Sequence, residues 1–338
     1  MKPLISNLIE QYSSVSIIGM CKNAGKTTVL NRMIRELSGS GRVLGLTSIG
    51  RDGESKDLVT GTGKPEIHVW EGTLVATAAE LVLSRCDVTR EILGATGIST
   101  PMGDVVLLRA RSDGFIQLAG PSMTGQLADL REEFFRLGAD MVIVDGALGR
   151  KTLCSRKVTE ATVLCTGASY HKDIGTVVEE TAYVCSILTL PETAAPGLRP
   201  AVEEMKDPRG TLLARGGAWA EPEGVLLRDA LKDGTVETVF LGGALSDALL
   251  QPLLMSGAKL DGVTFVVRDS SKILLKRENY EKLLRRGTSL EVLDGIRLAA
   301  VAVNPFSAYG YHFSKEELMA RMQDRVDLPV INVMEDAT

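Results

Sequence analysis

An α/β fold with a mostly parallel sheet flanked by helices is what this sequence predicts, and three observations carry the expectation. Short apolar runs alternate along the chain with stretches whose apolar residues recur at helical spacing, the pattern of strands joined by crossover helices. The composition agrees, with 44% apolar residues, only 4% aromatic residues and 34 glycines. That profile suits a Val/Leu/Ala-rich α/β protein with many tight turns better than a β-sandwich. Length is the third observation: 338 residues fit two domains, or one α/β domain with large insertions.

The elements follow in order. Ser14-Val15-Ser16-Ile17-Ile18-Gly19 is a short apolar strand running into a glycine-containing loop. Beyond Gly25, the residues Val29, Leu30, Met33, Ile34 and Leu37 share one helical face, and Gly39 and Gly41 close that helix. Residues 42–48 read as a second strand, followed by a polar turn at Gly50-Arg51-Asp52-Gly53-Glu54. A helix is expected over 73–85. A β-hairpin is expected over 104–118, turning through Ser112-Asp113-Gly114. A helix over 122–137 leads to the strand Met141-Val142-Ile143-Val144-Asp145. A strand over 161–166 precedes a helix over 173–188. Residues 191–224 are rich in proline and glycine with little periodicity.

Alternation then resumes, with strands over 236–241, 262–268, 297–303 and 330–333 and helices near 245–256, 278–286 and 314–325. The expected organisation is therefore a nucleotide-binding domain over 1–190, a linker or irregular insertion over 191–235, and an additional C-terminal α/β region over 236–338.

Charge and cysteine usage narrow the function classes. The net charge is −5 with no long basic stretch, which argues against nucleic acid as a partner. The five cysteines form no CxxC pair and read as reduced thiols, and three scattered histidines make a zinc site improbable. The N-terminus shows no secretory pattern, and no run reaches the ~18 apolar residues that span a bilayer. A cytoplasmic protein with no membrane partner is the expectation; a homo-oligomer is left open.

The chemistry concentrates in Gly19-Met20-Cys21-Lys22-Asn23-Ala24-Gly25-Lys26-Thr27-Thr28. A glycine-rich turn between strand and helix aims backbone N–H groups at one spot, and the helix N-terminus adds positive potential there. This is the pattern of a phosphate-binding P-loop, with Gly19, Asn23, Ala24, Gly25 and Thr28 around the phosphates. Lys26 reaches the β- and γ-phosphates and the Thr27 hydroxyl coordinates Mg²⁺. The spacing departs from G-x-x-x-x-G-K-[ST] by one residue, because position 20 is Met20 and the glycine is Gly19. Asp145, an acid at the end of an apolar strand, is the second metal-side group. Asp52 either holds Mg²⁺ through water or orients the attacking water, or else forms a surface Asp-Gly turn. Lys22 touches phosphate or a partner, or is solvated. Asn304 either meets a purine edge or caps a turn. Cys21 is a redox sensor or a small packed residue, and His171 a general base or a polar helix start. No guanine-reading Asn/Thr-Lys-x-Asp motif ends a strand, so ATP is expected rather than GTP.

Two resemblances follow from these residues. Gly25-Lys26-Thr27-Thr28, Val144-Asp145-Gly146-Ala147-Leu148-Gly149 and the passage 163–178 resemble the dethiobiotin synthetase and cobyric acid synthase branch of P-loop proteins. The resemblance implies an ATP-dependent ligase or kinase, with the acid-Gly-Ala stretch at the metal and Asn304 at the adenine. The chain departs from that branch where the synthetases carry a substrate-binding Lys-Pro and it has Ser48-Ile49-Gly50-Arg51-Asp52. Across 15–190, the 19–28 run, Thr47-Ser48-Ile49-Gly50-Arg51-Asp52-Gly53-Glu54 and Asp145-Gly146-Ala147-Leu148-Gly149-Arg150-Lys151 look like the reactivase subunits of adenosylcobalamin-dependent lysine 5,6-aminomutase. That resemblance implies a nucleotide-driven chaperone for a cobalamin-dependent aminomutase, working with a second reactivase subunit. The chain itself carries no D-x-H-x-x-G cobalamin motif. A third class, a nucleotide-binding scaffold without hydrolysis, is also compatible with these motifs.

Overall fold

The computed structural model describes residues 5–50, 66–148, 158–222 and 224–334. The chain divides into two compact units, one made of Met1–Ala182 with Arg297–Thr338 and the other of Tyr183–Ile296.

The first unit runs α1 (Ile5–Ile9), β1 (Ser14–Gly19), α2 (Lys26–Leu37), β2 (Leu44–Ser48), β3 (Ile67–Val69) and β4 (Leu74–Ala78). Then come α3 (Ala79–Ser84), β5 (Arg90–Thr100), β6 (Gly103–Ala110), β7 (Gly114–Ile116), α4 (Thr124–Arg136), β8 (Met141–Leu148), β9 (Ala161–Gly167) and α5 (Ile174–Leu188). The chain returns to this unit for β17 (Leu298–Asn304), α10 (Lys315–Arg325) and β18 (Val330–Asn332).

The nine strands of the main sheet lie in the order β18-β17-β9-β1-β8-β2-β4-β6-β5. Neighbours from β18 to β4 pair in parallel, and β6 and β5 add an antiparallel edge. Every residue of β1, β2, β4 and β9 is buried. Strands covered on both faces read as largely apolar, and the hydroxyls buried among them are hydrogen-bonded, as Ser16 is with Thr162 at 2.9 Å and Thr47 with the Ala76 carbonyl at 3.0 Å. The apolar stripe of α2 (Val29, Leu30, Met33, Ile34 and Leu37) is buried as its spacing predicts.

The second unit contains α6 (Leu198–Glu203), β10 (Thr211–Arg215), β11 (Ala218–Ala220), α7 (Leu227–Ala230), β12 (Thr238–Leu241), β13 (Leu245–Ser246) and α8 (Asp247–Met255). It continues with β14 (Thr264–Val267), β15 (Ile273–Leu274), α9 (Arg277–Leu284) and β16 (Ser289–Val292). Its sheet has the order β11-β10-β12-β14-β16, in which β12, β14 and β16 are parallel and β10 is antiparallel to its neighbours. One face of this sheet packs Val239, Phe265, Leu250 and Leu283, and the other packs Phe240, Val266, Leu198 and Val202.

The α/β class with a mostly parallel sheet and flanking helices holds, and four finer expectations are corrected. Residues 298–332 do not belong to a C-terminal region: β17 pairs with β9, so this strand-helix-strand completes the first sheet. The proline-rich stretch is no linker, because Leu212, Leu213 and Ala214 of β10 are buried against β12. The expected helix over 73–85 is split into β4 and α3. Leu74-Val75-Ala76-Thr77-Ala78 lies between β2 and β6, and its interstrand bonding overrides the helical preference of its alanines. The hairpin lies one strand earlier than expected, as β5–β6, while β7 pairs with β3 in a separate two-stranded sheet. The Ser112-Asp113-Gly114 turn exists, but it joins two sheets.

Gly45 in β2 leaves room for Phe134 of α4: a Cβ at Gly45 would stand 2.9 Å from the ring atoms Cγ and Cδ1. Gly45→Ala should cost about 1–3 kcal/mol through overpacking, read as a lower urea midpoint. The added cost should shrink when Phe134→Leu is already present, which a double-mutant cycle measures.

Candidate functional site

The carboxyl ends of the parallel strands bring most of the singled-out residues together. β1 stops at Gly19, and the chain turns into α2 through two left-handed residues, Asn23 at φ 59° and Gly25 at φ 96°. Gly25 accepts the first hydrogen bond of the helical ladder, from Val29 N–H at 2.9 Å. The N–H groups of Lys26, Thr27 and Thr28 therefore stand ahead of that ladder at the positive end of the helix.

Lys26 does not extend into solvent. Its Cδ and Nζ both lie 3.1 Å from where a Cβ on Gly19 would stand. The lysine is folded back over the loop, and Gly19 is the residue whose missing side chain admits it. Gly19 is thus the glycine that lies under the lysine.

Neighbouring strands grip the loop. The Met20 N–H donates to the Cys165 carbonyl on β9 at 2.9 Å. Asn304, at the end of β17, donates its side-chain amide to the Asn23 carbonyl at 3.4 Å and accepts from Phe306 N–H at 3.1 Å. The Val333 side chain, just after β18, comes within 3.2 Å of the Cβ position on Gly25. A buried chain of contacts fixes that last segment. The Arg32 guanidinium donates to the Asn332 carbonyl at 2.8 Å and to Glu36 at 2.6 Å, and Glu36 accepts from Ser6 N–H at 2.9 Å.

Asp145 does not end its strand as expected: β8 runs on to Leu148, and Asp145 lies inside it, opposite Ile17 of β1 and Ser48 of β2. Its carbonyl accepts from Ile49 N–H at 3.0 Å, and its carboxylate Oδ1 is shut off from solvent. Lys26 and Asp145 both act on the Cys165 thiol, the lysine lowering and the aspartate raising its pKa. Burial is the larger cause there and pushes Cys165 up to about 12. Burial likewise pushes Cys21 up to about 11, opposed by Lys26. Thiols held this far from ionisation behave as small packed groups.

Asp52 and Glu54 lie outside the described residues. Lys22 is exposed. His171 is exposed and accepts from Asp173 N–H at 3.0 Å through Nδ1. Asp173 in turn accepts from the N–H and hydroxyl of Thr176 at 2.7 and 2.9 Å, which holds its carboxyl below the usual range. His171 and Asp173 thus form the polar start of α5.

Four contributors were not singled out by the sequence. Cys165 stands opposite Gly19 in the sheet register. Val333 acts from the far end of the chain, and Arg32 of α2 reaches across to hold the segment before it. Gly120 closes the other side of the strand ends, donating its N–H to Ser48 Oγ at 3.2 Å, and a Cβ on it would stand 1.9 Å from the Ser48 carbonyl oxygen. Their pairing is a product of the fold, and nothing in the local sequence marks it.

No protein-family model, no curated protein and no solved structure matches this chain. Among the described residues, no helix is long and apolar enough to cross a membrane.

The thiol environment has a measurable consequence. Native Cys21 should react with iodoacetamide at pH 8 about a hundredfold more slowly than a free cysteine. Its rate should keep climbing with pH toward about 11. Peptide mass spectrometry of timed samples gives the rates.

Proposed function

We propose that this chain is a Mg²⁺-dependent, ATP-binding P-loop NTPase. The observation that carries the proposal is Lys26 lying across Gly19 at the β1–α2 turn, with Asp145 inside the adjacent strand β8, opposite Ile17 of β1. In this reading the N–H groups at the start of α2 and the Lys26 ammonium hold the β- and γ-phosphates. The donor set suits Mg²⁺. The Thr27 hydroxyl and the Asp145 carboxylate are hard oxygen donors. Among the described residues, no three His, Cys, Asp or Glu side chains gather to build an all-protein cage. Mg²⁺ is commonly held in this way, by one or two carboxylates together with water and phosphate. The bound ion supplies charge neutralisation on the transferring phosphoryl group. The chain's own part is to position phosphate through the loop and Lys26, and to place Thr27 and Asp145 at the metal. Asp52 is proposed as the acid that orients the attacking water.

The cellular role is proposed on the resemblance in the runs at 19–28, 47–54 and 145–151. Hydrolysis would drive reactivation of a cobalamin-dependent amino acid aminomutase, together with a second reactivase subunit.

Three outcomes are expected. Lys26→Ala abolishes Mg-ATP binding in equilibrium titration while leaving the thermal melt in place; retained affinity in the folded variant would exclude the phosphate loop. Asp145→Asn keeps nucleotide binding, loses most of its Mg²⁺ dependence and slows hydrolysis about tenfold or more. Basal turnover is slow and accelerates with an aminomutase present, because a ligand shifts an equilibrium only through differential affinity. The assay inactivates the aminomutase by turnover, adds this protein, its partner subunit, Mg-ATP and fresh cofactor, and measures recovery. Recovery independent of ATP or of Lys26 would exclude the reactivase role.

A further inference from the structure

Aromatic residues make up only 4% of the chain, yet Phe306, Tyr309, Tyr311 and Phe313 fall within one short segment after β17. That segment is tied down. Ser307 N–H donates to the Tyr311 carbonyl and Phe313 N–H to the Pro305 carbonyl, both at 2.9 Å. Ala308 N–H donates to Ser169 Oγ at 3.1 Å, and the Tyr311 hydroxyl donates to the Ala168 carbonyl at 2.7 Å. Gly310, at φ 86°, makes the turn. These bonds fix the backbone and use up Tyr311. They leave Phe306 at 43% and Tyr309 at 60% exposure. Large rings held on an ordered backbone but left open to water lose little conformational entropy on stacking against a flat ligand.

Their position names the ligand. Phe306 N–H is bonded to Asn304 Oδ1, and the Asn304 amide reaches the Asn23 carbonyl within the 19–28 loop. The backbone that carries the rings is therefore joined to the 19–28 loop through one side chain, Asn304. Asn304 spends its Oδ1 on Phe306 N–H and one of its two amide N–H groups on the Asn23 carbonyl, so only part of its hydrogen-bonding capacity is left for a base. Lys315 Nζ lies 5.9 Å from the Phe306 ring centroid, and His312 packs at 6.2 Å, which sets the ring in place.

We propose that Phe306 and Tyr309 are the stacking platform for the nucleobase of the bound nucleotide, so that the base is held by its face rather than read by the Asn304 amide. The proposal rests on the phosphate-loop reading above and names a second, separable part of the same site. Two rings alone are a small surface for a protein partner, whereas a ring face suits any purine.

The test separates base from phosphate. Mg-ATP and Mg-tripolyphosphate are titrated into wild type, Phe306→Ala, Tyr309→Ala, Phe306→Trp and Lys26→Ala. The expected result is that Phe306→Ala weakens ATP binding about tenfold and leaves tripolyphosphate affinity unchanged. Tyr309→Ala should follow the same pattern more weakly. Phe306→Trp should restore ATP affinity, with its indole fluorescence quenched on binding, and Lys26→Ala should lose both ligands. Unchanged ATP affinity in both alanine variants, or equal losses for the two ligands, overturns the stacking role while leaving the phosphate loop standing. A wild type that binds neither ligand overturns the phosphate loop and the platform together.

Discussion

The turn from β1 into α2 is the constraint on which the site depends. Two consecutive demands meet there: Asn23 and Gly25 must both adopt left-handed backbone, and Lys26 must fold over Gly19 rather than out to water. A left-handed non-glycine residue costs of order 1 kcal/mol or more, and it persists here because several elements hold it. Asn304 binds the Asn23 carbonyl, Val333 packs on Gly25, and the Met20 N–H is tied to β9. A backbone held in this shape before any ligand arrives presents its N–H groups without further ordering, which is what a preorganised anion site requires.

The bracing residues come from the far end of the chain, and this gives the division of the molecule its meaning. A contiguous unit of over a hundred residues, Tyr183–Ile296, interrupts the first unit from within α5 to just before β17. Both Asn304 and Val333 lie beyond it. The inserted unit has its own parallel strands and its own two-faced core. The first unit completes its sheet, and its loop, only when β17 and β18 return beside β9.

Lys26 and Asp145 bear on the same buried thiol in opposite directions, the lysine lowering and the aspartate raising its pKa. Burial dominates over both charges at Cys165 and over Lys26 at Cys21, which keeps these thiols protonated. Sulfur next to the proposed phosphate site is therefore packing material.

The local elements of the first unit were largely legible because their physics is local. Helical spacing from Val29 to Leu37 marks a buried face whatever the rest of the chain does. The apolar runs ending at Gly19 and Asp145 mark strands that need cover on both sides. The glycine, lysine and threonine at 25–28 mark a strand-to-helix turn, and only the structure shows Lys26 above Gly19. Periodicity carries no information about which strand is whose neighbour. It could not place β17 and β18 back in the first sheet. Nor could it see that Leu74-Val75-Ala76-Thr77-Ala78 is drawn into a strand by β2 and β6, or turn a proline-rich stretch into part of a folded unit. Residues such as Arg32, Gly120, Cys165 and Val333 gained their roles from contacts across long sequence separations. Hydrophobic pattern and turn chemistry are written residue by residue, and so the sequence alone determined the α/β class and the strand-to-helix turn between β1 and α2. Strand order, the ownership of the last two strands and the bracing of that loop depend on which surfaces meet, and only the tertiary structure decided them.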